Sequence, residues 1–190
     1  MKKTKPFFHA KSLVESKNSI GDGTRVWAFA HVMKGSVVGR DCNIGDHSFV
    51  ETGSFLGDRV TLKNGVSVWD GVTLGNDVFV GPNAVFTNDL FPVSRVQKKF
   101  LSTRVEKGSC IGANATIVCG VTIGEYAFVG AGSTVTKNIP DHALFYGNPA
   151  RLHGYLCRCR KKLKFKVSQA VCSCGLRFKR SKNTVRVVSR

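Results

Sequence analysis

Large apolar residues recur at every sixth position along most of the chain. The first run holds twelve consecutive positions: Ile20, Val26, Val32, Val38, Ile44, Val50, Leu56, Leu62, Val68, Leu74, Val80 and Phe86. The second run continues at Val105, Ile111, Ile117, Ile123, Val129 and Val135. A period of six fits neither a helix, which repeats every ~3.6 residues, nor a half-exposed strand, which alternates every second residue. The pattern predicts short strands joined by tight turns, each strand directing one large side chain inward.

Two further series follow the same register. Four positions after most of the large residues stands a small or β-branched one, such as Thr24, Ala30, Ser36 and Cys42. Glycines at 21, 39, 57 and 75 are spaced by 18 residues. A superperiod of three hexads predicts three sides per coil, and the hexads together make about six coils, roughly 25 to 30 Å tall at ~4.8 Å per coil. We therefore expect an all-β, three-sided parallel solenoid.

The register is interrupted once. After Phe86 the next large residue is due at position 92, yet the series resumes at Val105, so thirteen residues are inserted within 87–104. A regular solenoid does not need such an excursion, and long loops in compact domains are usually functional or disordered. The loop mixes Phe and Pro with Arg and Lys, which suits closure over an anionic, partly apolar ligand, and Arg95 is a candidate partner for a diphosphate. A passive loop or a clasp between subunits is the alternative.

Charge is distributed unevenly. The formal net charge of +17 divides into +4 for residues 1–19, +1 for residues 20–156 and +12 for residues 157–190. A basic tail can contact anionic lipid headgroups, nucleic acid or nucleotide sugars, or simply be solvated. The nearly neutral repeat argues against a nucleic-acid-binding protein. No apolar run approaches the ~20 residues of a membrane span, and the apolar stretch near the N-terminus is too short for a signal peptide, so we expect a cytoplasmic protein.

Four of the seven cysteines cluster in that tail, as the pairs Cys157 and Cys159, and Cys172 and Cys174. Four thiolates in two close pairs are a ligand set for structural Zn²⁺. The usual spacing within a pair leaves two to four residues between the cysteines, whereas here it is one. Residues 157–190 are therefore either a degenerate zinc ribbon or a tail with free thiols.

Several stretches in order resemble the hexapeptide-repeat acyltransferases, and within them the N-acetyltransferases of nucleotide-linked 3-amino sugars. The stretches are Trp27–Met33, Gly81–Asn88, Ile111–Gly124, Phe128–Lys137 and Gly147–Arg151, and the similarity covers roughly residues 9–160. The resemblance implies a left-handed parallel β-helix over residues 1–156 and a homotrimer with sites between subunits. It also implies acetyl-CoA as cosubstrate and a role in making O-antigen or surface polysaccharide. Members acting on UDP-2-acetamido-3-amino-2,3-dideoxyglucuronate match best, and close cousins use dTDP-linked 3-amino-3,6-dideoxyhexoses.

The same resemblance implies roles for individual residues. The asparagine matching Asn88 orients the sugar amino group, which attacks the thioester directly, and the leaving thiolate or solvent takes the proton. Backbone amides of turns matching Ala113 and Ala131 contact CoA in a groove between neighbouring solenoids. Lys137 and Arg151 are the candidates to meet its phosphates.

The residues themselves add weaker predictions. An 18-residue projection places Asn88 above Asp70, Thr52 and Lys34 rather than beside a histidine. Lys63 and Asn64 fill a turn where other coils carry glycine, so we expect them to bind phosphate or carboxylate unless Lys63 is merely solvated. Two more residues complete the predicted substrate contacts: Phe86, directly before the loop, and His31.

Two other functions are open on the sequence alone. An O-acetyltransferase would act on a small hydroxylated substrate, and because a hydroxyl is a poor nucleophile it would need a strong base, normally histidine. A non-catalytic solenoid scaffold would use the basic tail to hold nucleic acid or membrane.

Overall fold

The computed structural model describes residues 4–96, 100–182 and 184–189, and its architecture is a three-sided parallel β-helix followed by a small antiparallel unit. Each side of the β-helix is a sheet whose strands come from successive turns and, except for the two longer strands that end sheet A, contain two or three residues. Sheet A contains β1 (Phe7–Phe8), β3 (Arg25–Val26), β6 (Asn43–Ile44), β9 (Thr61–Leu62), β12 (Phe79–Val80), β15 (Cys110–Ile111), β18 (Phe128–Val129) and, at its end, β20 (Ala143–Gly147) and β21 (Ala150–Tyr155).

The other two sides are built in the same way. Sheet B contains β2 (Leu13–Val14), β4 (His31–Val32), β7 (Phe49–Val50), β10 (Ser67–Val68), β13 (Val85–Phe86), β16 (Thr116–Ile117) and β19 (Thr134–Val135). Sheet C contains β5 (Val37–Val38), β8 (Phe55–Leu56), β11 (Val72–Leu74), β14 (Thr103–Val105) and β17 (Thr122–Ile123), and single bridges at Ile20 and Ile139 extend it at both ends. A short 3-10 helix spans Lys17–Ser19.

The β-helix is longer than the sequence repeat predicted. The described strands form seven complete turns, and β20 begins an eighth, where about six were expected. The register extends back to Phe8 and Val14, which pair with the second turn. Both are only half-buried, because the first turn has a neighbour on one side only. The class of fold is the one predicted, and the difference lies at its ends.

The side chains point where the six-residue period requires. The large apolar residues from Ile20 to Val135 are all buried and form one continuous core. Burying each such side chain contributes roughly 1.5–3 kcal/mol relative to exposure. The small series, including Thr24, Ala30 and Ser36, is also buried and fills the interior corners.

The 18-residue glycine series has a steric cause. A Cβ atom on Gly21 would lie 2.5 Å from the carbonyl carbon of Gly39, and one on Gly39 would lie 2.5 Å from that of Gly57. Carbon atoms in contact need about 3.5–4.0 Å. Glycine at this corner therefore lets successive turns stack at hydrogen-bonding distance.

Three corners separate the sheets, and we name them by the sheets that they join. The AB corner holds the turns that follow the strands of sheet A, the BC corner those that follow sheet B, and the CA corner those that follow sheet C. Residues equivalent in successive turns form columns along each corner.

A small unit, here called the cysteine module (residues 157–189), follows the hairpin of β20 and β21. Its three-stranded antiparallel sheet contains β22 (Gln169–Val171), β23 (Arg177–Ser181) and β24 (Thr184–Ser189). The module packs on the CA corner, where Arg160 donates hydrogen bonds to the carbonyls of Gly108 (2.7 Å) and Tyr126 (3.4 Å). Among the described residues no helix is long and apolar enough to cross a membrane.

Candidate active site

The long loop leaves the BC corner in the fifth turn, between β13 and β14. Its neck is closed by the Leu101 amide, which donates to the carbonyl of Asn88 (3.1 Å). The next turn supports both ends of the neck, because the amide of Cys119 donates to Thr87 Oγ1 (3.0 Å) and that of Gly120 to Thr103 Oγ1 (3.2 Å). Residues 97–99 of the predicted loop lie outside the described residues.

Asn88 stands at this neck with its side chain half-buried. As projected from the sequence, it occupies the same column as Asp70 in the turn before, with Cys119 and Lys137 in the turns after. Its side-chain amide makes no hydrogen bond within the described part of the chain. The backbone is thus fixed while the amide oxygen and both amide protons are available to a ligand.

An aromatic run on the outer face of sheet B leads to the same neck. The rings of His31 and Phe49 are 5.3 Å apart, and those of Phe49 and Trp69 are 5.5 Å apart. Trp69 then donates its indole N–H to the carbonyl of Phe86 (2.8 Å). Phe49 and Trp69 are not among the site residues predicted from the sequence. The sequence carried a signal for Trp69, because the equivalent positions 18 residues before and after it hold the polar residues Glu51 and Thr87. A large aromatic residue at this outward position is therefore unusual.

His31 is already engaged and lies away from Asn88. Its Nε2 is 2.8 Å from Glu15 Oε1, and the other oxygen of that carboxylate accepts the backbone amide of Lys34 (3.0 Å). These two contacts, the amide first, hold the pKa of Glu15 below its usual range. His31 belongs to the second turn and Asn88 to the fifth, a separation of roughly 14 Å at ~4.8 Å per turn.

The prediction that Phe86 contacts substrate is wrong. Its side chain is 1% exposed and points into the core, as its place in the six-residue register requires. Phe86 contributes only its carbonyl oxygen to the outer surface, where it anchors Trp69.

The predicted cofactor turns lie on a different corner from Asn88. Asn64, Ala113 and Ala131 occupy one column of the AB corner, with Lys63 beside them, and Lys63, Asn64 and Ala131 are exposed. The backbone amides of Ala113 and Ala131 donate no hydrogen bond within the described residues. One protomer therefore presents Lys63, Asn64 and two open amides at one edge and Asn88 at another.

Lys137 and Arg151 do come together. Both line a cavity of about 440 Å³ at the end of the β-helix, with Asn138, Pro140, Phe145 and Leu152. Both are exposed, and two cations beside an apolar wall suit an anionic group attached to an apolar body. Arg95 is exposed in the loop with φ +64° and is not part of this cavity.

The four cysteines of the tail converge. Their sulfur atoms all lie within 4.8 Å of one another, with Cys157 and Cys174 at 3.4 Å and Cys159 and Cys172 at 3.5 Å. The backbone amide of Cys174 lowers the pKa of Cys172 to about 6, whereas burial raises the pKa of Cys157 to about 12.

Comparison with known sequences identifies the repeat. The family model described as bacterial transferase hexapeptide (six repeats) matches residues 19–52 and 102–137, and a hexapeptide repeat of succinyl-transferase matches residues 36–70. The chain is 59% identical over 174 residues to a dTDP-3-amino-3,6-dideoxy-alpha-D-galactopyranose 3-N-acetyltransferase of Aneurinibacillus thermoaerophilus, which covers 91% of this chain and 90% of that protein.

Solved structures with the same fold include further acyltransferases. The acetyltransferase domain of PglB from Neisseria gonorrhoeae, in complex with acetyl coenzyme A, is 25% identical with a TM-score of 0.54, over 79% of this chain and 58% of that one. A point mutant of AntD, an N-acyltransferase from Bacillus cereus in complex with dTDP and coenzyme A, is 18% identical with a TM-score of 0.51, over 80% and 82% of the two chains. At that identity the second likeness concerns the fold alone.

Proposed function

The chain belongs to the bacterial hexapeptide-repeat transferases, and from this premise we propose that it transfers acetyl from acetyl-CoA to the 3-amino group of a nucleotide-linked amino sugar. The observation that carries the proposal is the Asn88 side chain, which is half-buried and unpaired among the described residues at the neck of the loop. The amide oxygen there accepts a hydrogen bond from an N–H of the amine, so that the nitrogen lone pair is directed at the thioester.

Direct attack by the amine accounts for the chemistry. The nitrogen of the neutral amine bonds to the thioester carbon, and the resulting oxyanion collapses with cleavage of the carbon–sulfur bond. The CoA thiolate leaves, and it or solvent takes the proton lost by nitrogen. This route needs no side-chain base, which agrees with His31 being held by Glu15 and lying three turns from Asn88. Transfer to a hydroxyl would need such a base.

The sugar class follows from the bacterial relative. Because that enzyme is named for a dTDP-linked 3-amino-3,6-dideoxyhexose, we favour this class over the UDP-linked uronate that the sequence motifs also suggested. The product would serve O-antigen or another surface polysaccharide. A cytoplasmic location fits, since acetyl-CoA and nucleotide sugars are made there.

A substrate panel tests the function. Release of CoA from acetyl-CoA is measured with dTDP- and UDP-linked 3-amino sugars and with their 3-hydroxyl counterparts. We expect turnover with the amines, highest for the dTDP-linked 6-deoxy sugar, and none with the hydroxyl compounds. Turnover with a hydroxyl sugar but no amine would overturn the proposal.

A homotrimer completes the site. Because Asn88 lies on the BC corner while Ala113 and Ala131 lie on the AB corner, a cofactor held by both open amides reaches Asn88 only if the AB corner of one protomer faces the BC corner of the next. Cyclic symmetry repeats that groove three times. Lys63 and Asn64 then border it from the amide side, and Arg95 from the loop side. Lys137 and Arg151 are the partners for the CoA phosphates.

Mixed protomers test the shared site. Asn88→Ala removes the amide from one edge, and Ala131→Trp blocks the other, so each variant alone should be inactive. Random trimers of the two, refolded together, should regain about one quarter of the wild-type activity, because about one site in four then joins two intact edges. No recovery, in trimers shown to be mixed, would place the whole site within one protomer.

We also propose that the cysteine module holds structural zinc through Cys157, Cys159, Cys172 and Cys174. A tetrahedron with Zn–S bonds of ~2.3 Å separates the sulfur atoms by ~3.8 Å, and the four sulfurs, all within 4.8 Å, fit this. The ion would fasten the two cysteine turns together and take no part in the reaction. Metal analysis should find one zinc per chain, lost in Cys172→Ser, and a metal-free wild type that melts at the same temperature would count against it.

A further inference from the structure

A continuous basic surface covers the outer face of the cysteine module. Three shallow cavities of about 590, 310 and 300 Å³ adjoin one another there, the first two sharing Val171 and the last two sharing Lys179. Five cations line them, and together they form what we call the basic face: Lys164, Lys166, Arg177, Lys179 and Arg186.

The strand pairing explains why these cations share one side. Lys179 stands opposite Arg186 and Gln169 in neighbouring strands. The alternate residues Phe178 and Val185 are 1% exposed and face the solenoid side. Since side chains alternate across a sheet, Arg177, Lys179 and Arg186 are left on the outer face, and the cavity that shares Val171 with theirs continues to Lys164 and Lys166.

No acidic side chain of the module neutralises this charge. Residues 157–190 contain twelve Lys and Arg and no Asp or Glu, and none of the five cations of the basic face forms an ion pair within the described residues. Like charges this close repel one another and destabilise the fold. The arrangement suits an anionic partner.

Exposed aliphatic residues lie among the cations. Val167, at the tip of a turn, is 93% exposed, Val171 is 69% exposed and Val188 is 52% exposed. Cations interspersed with exposed apolar side chains are typical of surfaces that lie in the headgroup region of a bilayer. Single-stranded nucleic acid is bound instead on aromatic platforms, and the two phenylalanines of the module are half-buried or buried.

We propose that the basic face docks the enzyme on an anionic lipid bilayer. The module is anchored on the CA corner by Arg160, whereas Asn88 and the loop lie on the BC corner, so the docked enzyme keeps its site open to substrate. Each cation near such a surface strengthens binding about fivefold, and salt weakens it.

Vesicle sedimentation tests the proposal with the full chain. We expect little binding to phosphatidylcholine vesicles, strong binding when about 30% of the lipid is phosphatidylglycerol, and release at about 0.5 M salt. Lys179→Glu with Arg186→Glu should weaken binding at least about thirtyfold. Arg25→Glu with Arg40→Glu, the same change of charge at exposed residues of the solenoid away from the Arg160 contact, should leave it within about threefold.

The apolar contribution separates a bilayer from a soluble polyanion. Val167→Ser with Val171→Ser should weaken vesicle binding several-fold and leave retention on heparin unchanged. The proposal would be overturned if binding did not depend on the phosphatidylglycerol content of the vesicles, or if the solenoid control variant lost as much binding as the basic-face variant. So would RNA that binds the basic face more tightly than the vesicles and displaces the protein from them.

Discussion

Arg160 has an unfavourable backbone conformation and a side chain that makes stabilising contacts, and substitutions can separate these two effects. It has φ +68°, a conformation that costs a non-glycine residue roughly 1 kcal/mol, and it stands where a glycine would be expected after the first cysteine pair. The equivalent position after the second pair is Gly175, with φ +93°. In return, the Arg160 guanidinium donates to the carbonyl of Gly108 at 2.7 Å and lies 5.9 Å from the ring of Phe128.

The two substitutions should therefore differ. Arg160→Ala keeps the backbone cost and loses the side-chain contacts, about 1 kcal/mol for the partly exposed hydrogen bonds to Gly108 and Tyr126 together and about 0.5 kcal/mol for the ring. Arg160→Gly loses the same contacts but relieves the backbone, leaving a net loss of about 0.5 kcal/mol. Unfolding of the module away from the solenoid, which releases the turn at Arg160 as well as its contacts, should become about tenfold more frequent in the first variant and about twofold in the second.

Hydrogen exchange measures this unfolding in the intact protein. Amides of β22 to β24 should exchange about tenfold faster in Arg160→Ala and about twofold faster in Arg160→Gly, with no change in the core turns of the solenoid. An alanine variant that exchanges as slowly as the glycine variant, or two variants that exchange like the wild type, would refute these roles of Arg160.

Three further predictions test other parts of the structure. Phe86→Ala should lower stability by about 3–5 kcal/mol, seen as a lower urea midpoint, yet leave KM for the sugar unchanged at low temperature, since the ring is a core residue. In Gly112→Ala the new Cβ would lie 2.4 Å from the Ala131 nitrogen, so this variant should have a lower Tm and a higher KM for acetyl-CoA. In Gly132→Ala the new Cβ meets nothing within 4 Å, so stability should fall by only about 1 kcal/mol, the cost of the positive φ. Burial lowers the pKa of His142. As the pH falls below about 6.5, the unfolded chain therefore binds a proton at this histidine that the folded chain does not bind. Stability should decline in that range in the wild type but not in His142→Asn.

The sequence predicted the solenoid well because one rule governs every turn. Each large residue of the register is buried, and even the 18-residue projection that separates Asn88 from His31 holds. The same projection would have excluded the Phe86 side chain from the substrate set. Phe86 directly precedes the loop, but its place in the six-residue register makes it a core residue.

The rest of the chain follows no repeat, so its arrangement depends on contacts between distant residues. The hairpin of β20 and β21 and the sheet of β22 to β24 begin where the period ends. Sequence spacing made the cysteines a candidate cluster, but only the fold brings Cys157 to Cys174 and Cys159 to Cys172. Likewise, the meeting of Lys137 and Arg151 depends on how the hairpin closes the last turn.

Single-turnover kinetics of Asn88→Ala, set beside His31→Gln, test the central claim most directly. If the amide of Asn88 positions an amine that attacks without a side-chain base, Asn88→Ala should lower the rate of acetyl transfer about 100-fold or more with little change in acetyl-CoA affinity, and His31→Gln should stay within about threefold of the wild type. A fast Asn88→Ala enzyme together with a His31→Gln enzyme slowed by orders of magnitude would contradict the account.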